Sequence, residues 1–253
     1  MTLHSKTLKI LTLNMHKGFS AFNRQFVLHD LKEAIRSTKA DIVFLQEVTG
    51  ENEKHKKKYS DWPQTSHYEF LADEIWPDYA YGKNAVYPQG HHGNAILSKF
   101  PIMSSEKIDI STNSLEGRGF LYSMIEIPHY DKRLHCICVH LGLLAASRQK
   151  QMKMIQEYIE EKISPDEPIL FAGDFNDWSQ KAAKHFTEGF HFQEAFFQET
   201  GEHAKTFPSW MPLLKLDRIY YRHLKISDCR IDKELIGSKL TDHKGLIATI
   251  ELS

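Results

Sequence analysis

The sequence predicts an α/β (α+β) protein that combines mixed β-sheet architecture with helices on the outside. Strand-like and helical patterns alternate over the first part of the chain. Two apolar runs in the middle, at about 120–127 and 134–141, are separated only by a turn at 129–132, which favours antiparallel pairing. Alternation followed by hairpins argues against a purely parallel, Rossmann-type sheet. Because no repeat or linker interrupts the pattern, we expect residues 1–253 to form a single domain.

The predicted helices rest on apolar spacing and on start and stop signals. Apolar residues at 27, 31, 34 and 35 recur at helical spacing between the first two strands. Ser66 and Glu69 fit a capping box for a helix that reaches Ile75 and is stopped by Pro77. A third helix is expected from about Arg148 to Lys162. The strands expected around these helices lie near 10–13, 41–46, 93–98, 120–127, 134–141, 169–173, 216–222 and 245–252.

Composition and charge limit the classes of function. The 253 residues are 41% hydrophobic and carry a net charge of −1, which suits a globular protein with a sizeable core. A protein that coats nucleic acid through its phosphates is usually basic, so that class is disfavoured. Three cysteines without a CxxC spacing are typical of a reducing compartment. Since neither a signal-peptide pattern nor a membrane-spanning apolar run is present, we expect a cytoplasmic monomer, with peripheral membrane contact left open.

Polar side chains suited to metal or phosphate chemistry lie at the ends of the strand-like runs. In α/β proteins, ligands bind outside the carboxyl ends of the sheet strands. Clustered acidic groups repel one another unless a cation lies among them, and carboxylate and amide oxygens are preferred ligands of Mg²⁺ and Mn²⁺. The pattern therefore predicts a hydrolytic metal site. Its residues are Asn14, Glu47, His140, Asp174, Asn176, Asp217, Asp242 and His243.

Each of these residues alone also has an ordinary structural explanation. A strand histidine such as His140 is commonly held by hydrogen bonds, and a glutamate that closes a strand, such as Glu47, is commonly solvated. Asp174 and Asn176 are turn formers, and Asp217 can form a salt bridge to the adjacent arginine. The combination of all of them is what favours a functional site.

Seven short segments around these residues follow one another in a characteristic order. They are Leu13-Asn14, Leu45-Gln46-Glu47, Gly93-Asn94-Ala95-Ile96-Leu97-Ser98, Val139-His140-Leu141, Gly173-Asp174-Phe175-Asn176, Leu216-Asp217-Arg218-Ile219 and Thr241-Asp242-His243. In this order they resemble the endonuclease/exonuclease/phosphatase superfamily, over nearly the whole chain. The stretches 14–19 and 87–94 further resemble a bacterial subgroup of it. The resemblance implies the deoxyribonuclease I-like fold: a four-layered sandwich of two face-to-face mixed β-sheets with outer helices.

The resemblance also implies metal-dependent phosphoester hydrolysis and assigns the metal. Glu47 would be the principal ligand of Mg²⁺ (or Mn²⁺), assisted by Asn14 and Asp242. Oxygen ligands of this kind suit either ion.

The remaining residues would act on the phosphate and on water. By resemblance, Asp174 would orient or deprotonate the attacking water, and Asn176 would hold a phosphoryl oxygen. His140 and His243 would donate hydrogen bonds to the phosphate, and Asp217 would fix the ring of His243. Family members differ in which residue is the base, so Asp174 and His243 both remain open for that role.

Five further residues are candidates for binding the substrate. Arg118 and Arg148 can clamp a phosphate, although either can instead form a surface salt bridge. Lys17 follows Asn14 closely and can enter the site or remain in a solvated turn. Asn94 belongs to one of the family segments. Trp210 lies in an apolar, proline-containing stretch, where it can stack on a base, contact acyl chains or simply pack on the core.

Three classes of function remain open at this point. The first is an enzyme that acts on a lipid or small phosphodiester, and neutral charge favours it. The second is a DNA or RNA nuclease, such as an abasic-site endonuclease, whose binding would depend steeply on salt. The third is a non-catalytic binding protein on the same fold. The basic run 53–58 is expected to be a solvated loop, with a basic lip for nucleic acid or anionic lipid as the functional alternative.

Overall fold

The computed structural model describes residues 6–113, 116–232 and 240–252, which form two six-stranded sheets. The first sheet has the strand order β11-β12-β1-β2-β4-β3 and the second has the order β5-β6-β7-β8-β10-β9. The strands of the first sheet are β1 (Lys6–Asn14), β2 (Ile42–Asn52), β3 (Asp78–Tyr87), β4 (Gly90–Ser98), β11 (Lys225–Ile231) and β12 (Leu246–Leu252). Those of the second are β5 (Ile102–Asp109), β6 (Gly119–Ile125), β7 (Leu134–His140), β8 (Ile169–Asp174), β9 (Gln193–Glu194) and β10 (Asp217–Arg222).

Each sheet contains one parallel pair among antiparallel neighbours. The pairs β1–β2 and β7–β8 are parallel, and every other described pair is antiparallel. A parallel pair needs a crossover. The helices α1 (Leu28–Ser37) and α4 (Ala145–Lys162) provide the two crossovers. The mixed character expected from the sequence, including the β6–β7 hairpin, is confirmed.

The helices cover the outer faces of the sheets. Besides α1 and α4, the described helices are α2 (Glu53–Lys58), α3 (His67–Ala72), α5 (Lys181–Phe190) and α6 (Ala195–Thr200). Apolar residues of α1 and α3 pack on the outer face of the first sheet, and those of α4 and α5 pack on the outer face of the second. A third apolar core fills the space between the sheets. The order helices, sheet, sheet, helices confirms the expected four-layered sandwich.

Several local predictions need correction. The helix capped by Ser66 ends at Ala72 and does not reach Ile75, because Asp73 adopts a positive φ of 49°. The basic run 53–58 is a short exposed helix, not a loop, and the Asn52 side chain caps it by accepting a 3.0 Å hydrogen bond from the His55 amide. The long helix α4 begins three residues before Arg148, and the strand expected at 93–98 begins at 90.

Strand alternation brings the polar residues to one place. In β1, Leu8 and Ile10 belong to the core between the sheets, whereas Leu11 and Leu13 belong to the outer core. Because successive side chains alternate, Asn14 continues the inward-facing set. The same alternation directs His140 of β7 and Asp174 of β8 into the gap between the sheets. The inner faces are therefore apolar in the middle and polar at one edge.

Candidate active site

Residues of both sheets meet at this polar edge. Asn14, His140 and Asp174 end their strands as expected. Asp217 differs, since it opens β10; because β10 runs antiparallel to β8, Asp217 lies opposite Asp174 and so reaches the same edge. A 3.1 Å hydrogen bond from Asn14 Nδ2 to Asp174 Oδ2 joins the first sheet to the second. The polar edge predicted from the sequence therefore lies where the two sheets meet.

Glu47 reaches the site through a β-bulge. The strand β2 does not end here but continues to Asn52, and its pairing with β4 shifts register between Leu45 and Val48. Both Leu45 and Val48 pack in the outer core, and Gln46 faces inward, where its Nε2 lies 3.3 Å from Cys138 Sγ. Glu47 is the extra residue and has a φ of 54°. A bulge of this kind redirects one side chain without disturbing the alternation on either side.

Asp174 lies at the centre of the cluster. Its carboxylate accepts hydrogen bonds from Asn14 Nδ2 at 3.1 Å and from the Asn176 amide at 2.9 Å. Nε2 of His140 lies 3.5 Å from Asp174 Oδ2, and Nε2 of His243 lies 3.7 Å from the same atom. Burial raises the pKa of Asp174, against the opposing effect of the nearby His243 charge. The group therefore combines a fixed orientation with increased basicity.

The glycine before Asp174 is required by close packing. Gly173 has a φ of 146°, and a Cβ built on it would lie 2.1 Å from the carbonyl oxygen of Val139. Only glycine fits between these two strands without moving backbone. The close approach of β7 to β8 beside the site therefore explains why a glycine precedes Asp174.

Asp217 and His243 form a buried pair. Asp217 Oδ2 lies 2.9 Å from Nδ1 of His243, and the Phe207 ring packs 4.9 Å from the imidazole. Burial disfavours the imidazolium, but the carboxylates of Asp217 and Asp174 outweigh that effect and raise the pKa of His243. The second oxygen of Asp217, Oδ1, is buried and has no hydrogen-bond partner within the described ranges. His243 is thus held in one orientation as a cation.

Cationic and imidazole groups surround Glu47. Burial alone would raise the pKa of Glu47, but the positive charge of the ion-paired Lys17 lowers it. Lys17 Nζ lies 2.9 Å from Glu47 Oε2, although this oxygen lacks a partner in hydrogen-bond geometry among residues 6–113, 116–232 and 240–252. Burial lowers the pKa of the nearby His92 to about 4, so this ring is neutral at pH 7.

His140 is neutral for a related reason. Burial, with the Arg118 charge as the next cause, lowers the pKa of His140 well below its ordinary value. Arg118 is held by Glu116, whose Oε1 accepts hydrogen bonds from Nε at 3.1 Å and Nη2 at 2.6 Å. The Glu116 carboxylate also accepts the Leu143 amide at 3.3 Å. Glu116 was not predicted, and its position two residues before Arg118 is the only signal of this pairing in the sequence.

In the described part of the chain, one compact group of carboxylate and imidazole side chains is suited to hold a cation. Asp174, Asp217 and His243 offer ligand atoms that all lie within 4.8 Å of one another. Asn14 and Asp242 lie on either side of His16: Asn14 Oδ1 accepts the His16 amide at 3.1 Å, and Asp242 Oδ1 lies 3.7 Å from His16 Nδ1. The structure thus brings the predicted ligands Asn14 and Asp242 to the same edge, whereas the compact carboxylate–imidazole group was expected to act on phosphate.

Two of the predicted substrate residues, Arg148 and Asn94, donate to backbone carbonyl oxygens. Arg148 is buried and donates to the carbonyl oxygens of Gly142 at 3.2 Å and Leu143 at 2.6 Å, so it is not a surface salt bridge. Asn94 is buried and donates to the carbonyl oxygens of Gly119 and Cys138, which ties the two sheets together. Substrate contact by either residue stays a prediction.

Asn176 and Trp210 differ in their surroundings. Asn176 Nδ2 donates to the Leu141 carbonyl at 2.9 Å and so links the segments that follow β8 and β7. Trp210 is 54% exposed, and its ring lies 4.7 Å from that of Phe22. It is therefore not packed in the core, which was the structural alternative for this loop.

The fold and the site define a family, and comparison with known proteins agrees. The sequence profile of the Endonuclease/Exonuclease/phosphatase family matches residues 11–243, and the chain belongs to this family. The chain is 49% identical over 244 residues to the protein YbhP of Escherichia coli strain K12, an uncharacterized protein, with 96% of each chain covered. It is also 36% identical over 100 residues to sphingomyelinase C of Bacillus cereus, covering 33% of this chain and 29% of that one.

Solved structures show the same fold at low sequence identity. An endonuclease/exonuclease/phosphatase from Beutenbergia cavernae superposes with a TM-score of 0.76 at 15% identity, covering 98% of this chain and 72% of that one. TDP2 of D. rerio, complexed with a single-strand DNA product, superposes with a TM-score of 0.69 at 18% identity, covering 97% and 99%. Within the described residues, no helix is long and apolar enough to cross a membrane.

Proposed function

We propose that the protein is a divalent-metal-dependent phosphodiesterase that acts on a lipid or small phosphodiester. One observation carries the proposal: a buried aspartate, Asp174, lies within 3.7 Å of two imidazoles, of which that of His140 is neutral and that of His243 is protonated. Beside it lies Glu47, whose Oε2 is ion-paired with Lys17 Nζ at 2.9 Å. This arrangement places a base, hydrogen-bond donors and a second carboxylate at one edge of the two sheets.

The side chains divide the work according to their charge. Asp174, with its raised pKa, is a stronger base than an ordinary aspartate and suits proton abstraction from water. His243, kept protonated by Asp217, donates to a phosphoryl oxygen on which negative charge increases during the reaction. His140 is neutral and can donate one N–H without repelling a cation beside it. Asp217 acts through His243 and is a positioning residue.

The donor set around Glu47 fits a hard divalent cation. Lys17 Nζ lies 2.9 Å from Glu47 Oε2, which shows that a positive charge is stable beside this carboxylate. Glu47, Asn14 and Asp242 would supply the oxygen ligands that Mg²⁺ and Mn²⁺ prefer. A bound divalent ion supplies charge neutralisation at the phosphate. Asp174, Asp217 and His243 form an alternative group, whose ligand atoms all lie within 4.8 Å of one another.

Calorimetric titration with Mn²⁺ tests the metal assignment without relying on activity. Glu47→Gln is expected to weaken binding by at least about tenfold, since a charged ligand is lost. Glu51→Gln, on the same strand but 75% exposed at its side chain, is the matched control and should bind like wild type. If Asp217→Asn abolishes binding while Glu47→Gln does not, the ion lies in the carboxylate–imidazole group and the assignment is wrong.

The substrate class is supported by charge and by one relative. The net charge of −1 gives no general attraction for polyanions, and the partial match to a sphingomyelinase C favours a lipid phosphodiester. A nuclease is the second candidate, supported by the fold it shares with a DNA-processing TDP2. We further propose a cytoplasmic location, which cell fractionation tests.

A hydrolysis screen with Mg²⁺ or Mn²⁺ decides between these candidates. It should include sphingomyelin and phosphatidylcholine vesicles, a soluble aryl phosphodiester, abasic duplex DNA and single-stranded DNA. We expect turnover of the lipid or aryl diester, reduced about 10²–10⁴-fold in Asp174→Asn. Turnover of DNA alone, with binding that falls steeply as salt rises, would establish the nuclease instead. Two outcomes would each refute the mechanism: no turnover of any phosphoester, or turnover at equal rates in wild type and Asp174→Asn.

A further inference from the structure

Exposed apolar side chains are concentrated around the candidate site. In the described part of the chain, 13 large apolar residues are exposed, and eight of them lie in the segments 15–27, 141–144, 175–180 and 201–216. Each of these segments directly follows or precedes a strand that ends in a site residue. Exposed apolar groups collected on one face mark an interaction surface more often than scattered ones do. The eight are Phe22, Leu143, Leu144, Trp178, Trp210, Met211, Leu213 and Leu214.

Four of these residues form what we call the apolar rim: Phe22, Trp210, Met211 and Leu213. Their exposed fractions are 63%, 54%, 56% and 60%. The Phe22 and Trp210 rings lie 4.7 Å apart, although they come from segments distant in sequence. These two rings line a cavity of about 370 Å³, together with Ser20, Ala21, Arg24 and Gln25.

The rim is fixed to the catalytic segment. The Ser209 amide and hydroxyl donate to the carbonyl oxygens of Asp242 and Thr241, both at 2.7 Å. The Lys244 amide donates to the Thr206 carbonyl at 2.9 Å. Whatever the rim contacts is therefore held at a set position relative to His243.

The two chain segments that carry the rim contain basic but no acidic residues, since 15–27 and 203–216 have no Asp or Glu. Lys17 and Lys215 are ion-paired with Glu47 and Glu202, which lie outside these segments, whereas Arg24 and Lys205 are exposed. Arg24 is exposed, and its guanidinium lies 5.1 Å from the centre of the Phe22 ring, on the wall of the cavity. Because the net charge of the whole chain is −1, the absence of acidic residues is a property of these two segments and not of the protein as a whole. The charge of these segments complements an anionic partner.

We propose that the apolar rim docks the protein on the surface of an anionic phospholipid bilayer. Tryptophan is favoured at the membrane interface, aliphatic side chains enter the acyl region, and each nearby lysine or arginine adds attraction to anionic headgroups. Single-stranded nucleic acid is the less suitable partner, because Met211 and Leu213 offer no aromatic face for a base to stack on. The proposal rests on the proposed function, since docking at this edge brings a lipid phosphodiester to the site.

Vesicle co-sedimentation of the full chain tests the proposal independently of hydrolysis. The probes are vesicles of phosphatidylcholine alone and of phosphatidylcholine mixed with phosphatidylglycerol. We expect binding to the mixed vesicles, reduced about tenfold by Met211→Ser and further by Met211→Ser with Trp210→Ser. Met103→Ser is the matched control, because Met103 is also 56% exposed but lies on β5, away from the rim.

Each outcome separates docking from catalysis. Rim-dependent binding to mixed vesicles without phosphoester turnover would keep the docking surface and remove the proposed function, and turnover without vesicle binding would do the reverse. Equal binding to both kinds of vesicle, or equal loss in Met103→Ser, would overturn the proposal. So would rim-dependent binding of a single-stranded oligonucleotide by a protein that does not sediment with vesicles.

Discussion

Replacing His67 by phenylalanine is expected to reduce the loss of stability in mild acid. His67 is fully buried, its ring lies 4.5 Å from that of Trp62, and neither ring nitrogen has a hydrogen-bond partner among the described residues. Burial, with the charge of His55 as a smaller cause, lowers the pKa of His67 to about 3. The folded protein therefore holds this imidazole neutral over the range in which an unfolded histidine takes up a proton.

The sign and size follow from proton linkage. A folded-state pKa below the unfolded value of 6.5 means that the unfolded state binds more protons below pH 6.5, so stability falls as pH falls through this window towards 3. At about 1.36 kcal/mol per pH unit, the cost between pH 7 and pH 5 is about 2 kcal/mol. Other histidines with a lowered pKa, such as the partly buried His92, add their own pH dependence in wild type and variant alike.

Urea unfolding at pH 7 and pH 5 measures the difference. Between these two values, wild type should lose about 2 kcal/mol more than His67→Phe. The larger ring alters packing equally at both pH values, so the pH slope isolates the proton effect. His29→Phe, on an exposed histidine, is the control and should keep the wild-type slope. Identical slopes in wild type and His67→Phe would refute the view that His67 is buried as a neutral ring.

Three further outcomes are expected. Gly173→Ala should cost at least about 3 kcal/mol, because its Cβ would meet the Val139 carbonyl at 2.1 Å; an unchanged urea midpoint would contradict the packing. Asp217→Asn should lower kcat about 10–100-fold with little change in KM or stability, since the carboxylate holds His243; an equal loss of folding stability would indicate a structural role only. Ser66→Ala should cost about 1 kcal/mol through the capping box, unlike a change at the exposed Ser37, and circular dichroism with urea measures both.

The strands that sequence patterns predicted are the central ones. The four strands that were not predicted, β3, β5, β9 and β11, are the edge strands of the two sheets. An edge strand is covered less completely and tends to carry charged or polar side chains, which removes the apolar signal. In β5, for example, Met103 to Glu106 are all exposed. Position in the sheet, which short-range patterns do not encode, therefore decided which strands could be recognised.

For the candidate site, the sequence likewise predicted which residues take part but not how they are arranged. The residue types at the strand ends indicated which groups would gather, and the structure brings Asn14, His140, Asp174 and His243 within hydrogen-bonding or ion-pair range. The predicted strand at 216–222 placed Asp217 near a strand start, but spacing could not reveal that this strand runs antiparallel to β8, because direction depends on which neighbour it pairs with. The sequence also could not predict the protonation states of these side chains, because those depend on burial and on neighbours from distant segments.

At Glu47, one extra residue in β2 decides whether an acidic side chain is present at the candidate site. Deleting this residue would leave Leu45 on the outside, Gln46 on the inside and Val48 on the outside, which removes the first of the two register shifts between β2 and β4. Such a chain would keep both apolar faces of β2 and could fold with no acidic group at the proposed metal position. A single-codon deletion can therefore convert an enzyme of this architecture into an inert homologue that keeps its shape. Relatives that kept the fold and lost the reaction should be sought by the length of this strand as well as by the identity of its residues.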